Sequence, residues 1–249
     1  MAKARSRPSR CARPAEGVPE GLILGAPVDL AASPAFAAGR VTPQSRASML
    51  VAPTLGPRPG ERVLDLCAAP GAKATHLAAL MEGGGEVVAV ERDAARARQL
   101  RETCARMHAR SVQVVEGDAR DPHGQDFDRV LVDPPCSGLG TLRGRPDLRW
   151  RATPEAAEEL AALQLEILLA AARAVRPGGT IVYSTCTLNP AENEDVVAGA
   201  LAARGDLVAE DLQSDAPLWK HPTVANHLLL IPDRDGTDGF FIARLRRRA

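Results

Sequence analysis

The fold is decided by the stretch Val63-Leu64-Asp65-Leu66-Cys67-Ala68-Ala69-Pro70-Gly71-Ala72-Lys73. Its first residues predict a short buried strand, and the small residues that follow lead into a helix expected over Lys73–Met81. Small residues at such a turn let backbone N–H groups approach a ligand closely. The turn has neither the glycine pattern of dinucleotide sites nor the lysine spacing of the Walker loop. It therefore favours a smaller adenosine-bearing ligand and disfavours a nicotinamide dehydrogenase.

Strands and helices alternate through the rest of the chain. Further strands are predicted at Glu86–Val90, Val112–Val115, Arg129–Val132, Thr180–Ser184 and Gly239–Leu245, and helices at Asp93–Met107, Thr153–Val175 and Ala191–Ala203. This alternation indicates an α/β fold with a parallel, doubly wound sheet.

Composition narrows the class of protein. The 249 residues are 45% hydrophobic and 25% charged, which is typical of a soluble globular protein with one main domain. The net charge is zero, so no global field attracts nucleic acid. The five cysteines contain no C-x-x-C pair, which argues against a disulfide framework or a cysteine-rich zinc site. We therefore expect no bound metal. The sequence has no apolar run that could span a membrane or serve as a secretory signal, so we expect a cytoplasmic protein.

Acidic residues and thiols follow the predicted strands. Glu91 suits a ribose diol, and Asp118 suits an adenine edge. Asp133 is followed by two prolines, which stiffen the turn, and then by Cys136. Cys186 follows the fifth strand. Because α/β sheets bind ligands at their carboxyl edge, the two thiols can converge on one crevice, where one attacks a substrate while the other assists release.

These segments resemble the Rsm/Nol/Sun (RsmB/RsmF-type) family of RNA cytosine-5 methyltransferases. The resemblance covers most of the chain from about Gln44 onward, and several independent segments agree in order and spacing. They are Val63–Lys73, Glu91, Gly117-Asp118, Asp133–Gly140, Arg145–Trp150, Tyr183–Thr187, Pro190–Glu194 and Asp238–Arg244. Ala72 departs from the pattern, since members usually carry a second glycine there.

The resemblance implies a Rossmann-like class I methyltransferase with a seven-stranded, mostly parallel sheet and an antiparallel last strand. It implies that Cys186 is the nucleophile, that Cys136 assists product release and that Asp133 holds the target cytosine. The implied cofactor is S-adenosyl-L-methionine. The predicted cofactor contacts are Cys67, Ala68, Ala69, Pro70, Gly71, Lys73, Glu91, Arg96, Asp118 and Asp133.

The resemblance also implies an RNA partner, with ribosomal RNA favoured over transfer RNA, and we expect a monomer. An exposed RNA segment is the expected target, because unstacking a looped nucleotide costs less than opening a duplex. We expect its approach to be lined by Arg143, Arg145, Arg149 and Trp150, although core packing is an equal interpretation of Trp150. Residues 1–20 are predicted to be a basic, disordered tail, residues 21–60 a lead-in with one helix near Ser45–Leu55 and the remnant of an RNA-binding region, and residues 61–249 the catalytic domain.

Three alternative functions stay open. A DNA cytosine-5 methyltransferase would use Cys136 as its nucleophile and would not require Cys186. An amino-group methyltransferase would need neither thiol. A non-catalytic RNA-binding factor of ribosome assembly could keep the fold without the reaction.

Overall fold

The computed structural model describes residues 12–121 and 123–249. The strands are β1 (Ala12–Ala15), β2 (Val18–Leu24), β3 (Arg62–Asp65), β4 (Glu86–Glu91), β5 (Val112–Glu116), β6 (Phe127–Val132), β7 (Val175–Thr185), β8 (Leu207–Ala209), β9 (Leu228–Leu230) and β10 (Phe240–Arg247). The helices are α1 (Pro34–Ala37), α2 (Arg46–Met49), α3 (Val51–Leu55), α4 (Ala72–Leu80), α5 (Ala94–Arg106), α6 (Pro154–Ala174), α7 (Glu194–Ala203) and α8 (Pro232–Asp235).

The main sheet confirms the predicted α/β class. Its strands lie in the order β5-β4-β3-β6-β7-β10-β8. The pairs from β5 to β7 are parallel, whereas β10 runs antiparallel to β7. The short strand β9 pairs with residues 240–242 of β10 and β8 pairs with residues 245–247. Both use the β10 edge that faces away from β7, so the sheet has eight strands where seven are predicted, and β10, the last strand of the chain, is antiparallel to β7 as predicted.

Helices cover both faces of this sheet. Successive side chains of a strand point to opposite sides, so apolar strands need a packing partner on each face. On one face, Leu64 packs in a cluster with Leu168 of α6 and Val197 of α7. On the other face, Val63 packs in a cluster with Leu77 of α4 and Val51 of α3. Strands buried on both faces leave ligands only the ends of the sheet, which places a binding site at the loops that follow the strands.

The start of the described chain corrects one expectation. Residues 12–20 were predicted to be disordered, but they belong to an antiparallel hairpin of β1 and β2. Gly17 takes a positive φ of 76° in its two-residue turn, and Val18 is buried in the same cluster as Trp219. The hairpin is ordered by this distant contact, which local composition does not reveal. The part of the predicted tail at residues 1–11 lies outside the described residues.

The predicted helix near Ser45–Leu55 is present as α2 and α3, and Ser45 Oγ caps α2 by accepting a bond from Ser48 N at 3.3 Å. Thr153 caps α6 in the same way, accepting from Ala156 N at 3.2 Å. Strand β7 is longer than predicted: it starts at Val175 and continues through Pro177-Gly178-Gly179, with an irregular register against β6. The long strand still ends at Thr185, directly before Cys186.

Candidate active site

One cavity of about 400 Å³ lies at the carboxyl ends of the parallel strands. Strand ends supply its chemistry, because Glu91 closes β4, Asp133 follows β6 and Cys186 follows β7. Asp118 and Cys136 line the same cavity from the adjacent loops. The structure therefore brings together the acids and the thiols that the sequence placed at separate strand ends.

The two cysteines face each other inside this cavity, with 3.3 Å between their Sγ atoms. The hydrogen bond from Cys136 lowers the pKa of Cys186 below that of an ordinary thiol, and Lys73 favours the same direction against burial and the charge of Asp133. The same bond raises the pKa of Cys136 well above its usual value, and burial adds to that effect. When the pair loses a proton, Cys186 therefore loses it before Cys136 does. Nucleophilic attack requires the thiolate, which makes Cys186 the better nucleophile of the two.

Asp133 is held at the base of the cavity by two donors. Lys73 Nζ lies 2.6 Å from Asp133 Oδ2, and Ser184 Oγ donates to Oδ1 at 2.9 Å. Burial opposes the positive charge of Lys73, but the carboxylate of Asp133 outweighs it and raises the pKa of the lysine. Lys73 thus stays protonated and acts on the site through Asp133.

Asp65 is a charged neighbour that the sequence analysis did not single out. It ends β3 and is only 1% exposed. Its Oδ1 accepts a bond from Cys67 N at 3.3 Å, while Oδ2 has no hydrogen-bond partner among the residues that the structure describes. Burial, followed by the charge of Asp133, raises the pKa of Asp65 to about 7. An acid at the end of an apolar strand was the available signal for this residue.

The other two acids are held as hydrogen-bond acceptors. Glu91 Oε1 accepts from Asp93 N at 2.9 Å, and its Oε2 lies 3.5 Å from Arg96. Asp118 Oδ2 accepts from Arg120 at 2.7 Å, and this bonding lowers the pKa of Asp118 to about 2. A carboxylate offers about four acceptor positions, so both residues keep capacity for the hydroxyl and amino donors of a nucleoside.

The predicted cofactor residues fall into two groups. Those that line the cavity are Cys67, Ala69, Glu91, Arg96, Asp118 and Asp133. Those that do not line it are Ala68, Pro70, Gly71 and Lys73. Gly71 has a φ of 110°, and a Cβ there would lie 2.8 Å from Leu100 Cδ1 of α5. This glycine therefore allows the turn and α5 to pack closely, and its role in the structure is to shape the turn.

Glu192 joins the two cysteine loops, and the sequence analysis noted its segment without a role. Its carboxylate is fully buried and accepts from Ser137 N at 2.8 Å and from Ser137 Oγ at 2.5 Å. Gln164 Nε2 donates to the same carboxylate at 3.1 Å and to Pro135 O at 2.8 Å. The loop on either side of Cys136 is thereby tied to the segment that follows Cys186.

Only one of the four residues predicted to line the RNA approach lies at the cavity. Arg145 lines the cavity, whereas Arg143, Arg149 and Trp150 are exposed outside it. Trp150 is 84% exposed, so the interpretation of this residue as core packing is wrong.

Within residues 12–121 and 123–249, no group of three or more His, Cys, Asp or Glu side chains is arranged to hold a metal ion. Over the same part of the chain, no helix combines the length and the apolar character needed to cross a membrane.

Comparisons with known proteins show the family of the chain. The profile of the family described as 16S rRNA methyltransferase RsmB/F matches residues 52–246. A relative from Synechocystis, named Probable ribosomal RNA small subunit methyltransferase B, is 42% identical over 93% of this chain and 53% of its own length. The chain spans about half the length of the curated relatives it matches.

Solved structures show the same fold. The crystal structure of PH0851 has a TM-score of 0.90 and 36% identity, over 95% of this chain and 54% of that one. The structure of NSun6 from Pyrococcus horikoshii with SFG has a TM-score of 0.81 and 33% identity, over 92% of this chain and 60% of that one.

Proposed function

This chain belongs to the 16S rRNA methyltransferase RsmB/F family, and on that premise we propose that it methylates C5 of a cytosine in RNA. Ribosomal RNA is the proposed substrate class and S-adenosyl-L-methionine the proposed methyl donor. The observation that supports the proposal most is the pair of thiols 3.3 Å apart, of which Cys186 has the lowered pKa. A DNA-type mechanism would have Cys136 as the nucleophile, yet the raised pKa of Cys136 opposes that role. An amino-group methyltransferase would leave both thiols without a purpose.

The cavity offers a fitting set of groups for the donor. Glu91 would accept from the ribose diol, and Asp118 from the adenine amino group, because both present carboxylate oxygens to the cavity. The buried Oδ2 of Asp65 lacks a partner in the described part of the chain and lies at the turn that such a ligand would approach. When bound, S-adenosyl-L-methionine supplies an electrophilic methyl group.

The first proposed step is the attack of Cys186 on the base. Cytosine C5 is a poor carbon nucleophile, and addition of a thiolate at C6 converts the ring into an enamine-like species whose C5 is reactive. An ordinary thiol with a pKa of ~8.5 pays about 2 kcal/mol to ionise at pH 7, so a lowered pKa at Cys186 reduces the barrier directly. Negative charge that develops on the ring at N3 would be neutralised by a proton that Lys73 passes on through Asp133, whose Oδ2 lies 2.6 Å from Lys73 Nζ.

The second proposed step releases the product. After C5 has been methylated, its proton must leave and the bond from C6 to Cys186 must break. Cys136 is the proposed base. The hydrogen bond to Cys186, the main cause of its raised pKa, is lost once Cys186 is bonded to carbon, so Cys136 gives its proton to solvent and its thiolate takes the proton from C5. Departure of Cys186 then restores the resting thiol pair. This chemistry needs free thiols, which suits the reducing cytoplasm that we propose as its location.

The proposal is tested by trapping the covalent intermediate. The full chain is incubated with radiolabelled S-adenosyl-L-methionine and a transcript of small-subunit ribosomal RNA, and denaturing gels then report protein–RNA adducts. We expect Cys136→Ala to accumulate an adduct and Cys186→Ala to give neither adduct nor methylated RNA. Cys104→Ala removes a buried thiol of α5 outside the cavity and serves as the matched control, with normal turnover expected.

Other outcomes would change the conclusion. Adducts that persist only in Cys186→Ala would reverse the thiol roles and favour the DNA-type mechanism. Methylation of transfer RNA but not of ribosomal RNA would replace the substrate class. Binding of RNA with no methyl transfer to either RNA would favour the non-catalytic assembly factor.

A further inference from the structure

Trp150 is the most exposed large hydrophobic side chain among the described residues, at 84%, whereas Trp219 is only 4% exposed. Fully exposed tryptophans are unusual, because burying such a side chain is strongly favourable. Trp150 is the last residue of a short 3₁₀ turn, Pro146–Trp150. An aromatic face left open at a defined position indicates a surface that binds something flat or apolar.

The segment around Trp150 is positively charged although the chain as a whole is neutral. Residues 143–151 contain four arginines and one aspartate. The aspartate, Asp147, lies 3.8 Å from Arg145. In the part of the chain that the structure describes, no acidic partner contacts Arg143, Arg149 or Arg151, all of which are exposed. Most other arginines of the sheet and helices are paired with acids, so this segment carries unneutralised positive charge.

The same segment packs on the loop that carries Cys136. A Cβ at Gly138 would lie 2.8 Å from Leu148 Cδ1, so the two segments are in close contact. Arg145 and Leu148 line the cavity that contains both thiols. Trp150 follows Leu148 by two residues in the same turn. The exposed ring of Trp150 therefore lies beside the cysteine cavity, where it can reach an RNA strand whose base enters the cavity.

We propose that Trp150 stacks on a nucleobase next to the target cytosine, while the arginines of residues 143–151 bind the flanking phosphates. Single-stranded nucleic acid is held in this manner, by aromatic rings that stack on bases and by cations that follow the backbone. Stacking on a neighbour stabilises the strand with the target base unstacked, which the reaction at C6 requires. This inference rests on the proposed function for the identity of the partner and adds the residue that selects unpaired RNA.

The first experiment uses the two tryptophans of the chain as reporters. In Trp219→Phe, Trp150 is the only emitter, and titration with a single-stranded RNA oligonucleotide is expected to quench its fluorescence. In Trp150→Phe, the buried Trp219 is the only emitter, and no quenching is expected. A fully paired duplex of the same sequence should leave the emission of Trp150 unchanged. Equal quenching by the duplex, or none by the single strand, would overturn the proposal.

The second experiment measures turnover of the RNA substrate. Trp150→Leu is expected to raise KM for RNA about 10-fold, since loss of one base–aromatic stack weakens binding by that order, with kcat little changed at saturating RNA. Leu22→Ala, which truncates another exposed hydrophobic side chain on β2, is the matched control and should leave KM unchanged. An unchanged KM in Trp150→Leu overturns the stacking role even if methylation is normal. Quenching of Trp150 without any methyl transfer would instead keep the stack and reject the proposed function.

Discussion

The two ends of the same sheet carry cavities of nearly equal size with opposite character. The cysteine cavity at the carboxyl ends measures about 400 Å³, and a second cavity at the other end measures about 390 Å³. Arginines and acids line the second cavity, where Arg129 pairs with Glu61 at 2.5 Å and Arg176 with Asp128 at 2.7 Å. Each of its three acids, Glu61, Asp128 and Glu210, pairs with an arginine, and such pairing supports the fold.

The cysteine cavity instead contains reactive groups. Its two thiols bond to each other across 3.3 Å, and beside it the buried Oδ2 of Asp65 has no hydrogen-bond partner among the described residues. Unmatched polar groups are costly in a protein interior and are kept where they serve function. Cavity size therefore does not distinguish the two ends, whereas their lining groups do: a pair of thiols lies at one end and arginine–acid pairs dominate the other.

The largest expected difference between the two ends comes from the nucleophile. We expect Cys186→Ala to lower the rate of methyl transfer by roughly 10³-fold or more, which corresponds to at least ~4 kcal/mol. Cys136 cannot replace the missing nucleophile, because its raised pKa disfavours the thiolate. Arg246→Ala in the second cavity should leave the rate within about twofold. Single-turnover transfer of radiolabelled methyl groups to RNA measures both. Comparable losses in the two variants would remove the distinction between the cavities.

Asp65 should make the folded protein less stable as the pH rises. Its folded-state pKa is about 7, and its unfolded-state value is near ~3.9. Between these values the folded state binds more protons, so the free energy of unfolding falls with rising pH, by at most about 4 kcal/mol. Asp65→Asn should remove this loss and be the more stable protein at pH 8. Urea denaturation at pH 5 and pH 8 gives the comparison, and parallel pH dependence in both proteins would contradict it.

Glu192→Gln tests whether the buried carboxylate positions the thiols. The amide group would face donors from Ser137 and Gln164, so the Cys136 loop should shift and kcat should fall by about 10- to 100-fold, or ~1.4–2.7 kcal/mol. A displaced Cys136 would also raise the pKa of Cys186. Alkylation of Cys186 by iodoacetamide, followed against pH by mass spectrometry, reports that shift. A pH profile that matches the wild type would reduce Glu192 to a structural role.

The smallest effect is expected from Glu61→Gln, the same substitution at the second cavity. It removes the charged partner of Arg129, and both side chains are largely buried, with exposures of 18% and 15%. We expect a loss of about 1 kcal/mol in the free energy of unfolding, since glutamine keeps one acceptor oxygen and one hydrogen bond is lost. Methyl transfer and the alkylation profile of Cys186 should not change. A loss of activity here would show that the second cavity is coupled to the first.

Local sequence signals were enough to predict the order of the strands and helices and the types of residue that line the cysteine cavity. Alternation of apolar strands with helices predicted the doubly wound sheet, and Thr153, the predicted start of the long helix, is the residue that caps α6. The position of each acid and thiol after a strand predicted one shared crevice, because parallel strands end at the same edge. These features depend on neighbouring residues in the chain, so they can be seen in the sequence.

The tertiary structure alone decided which of these groups touch and with what effect. The hairpin at residues 12–24 packs against Trp219, and Glu192 accepts a hydrogen bond from Ser137. Both contacts join parts of the chain that are distant in sequence. The preference for Cys186 over Cys136 likewise depends on a 3.3 Å contact and on burial. Ionisation responds to distance and solvent access over a few ångströms, and only the folded chain sets those quantities.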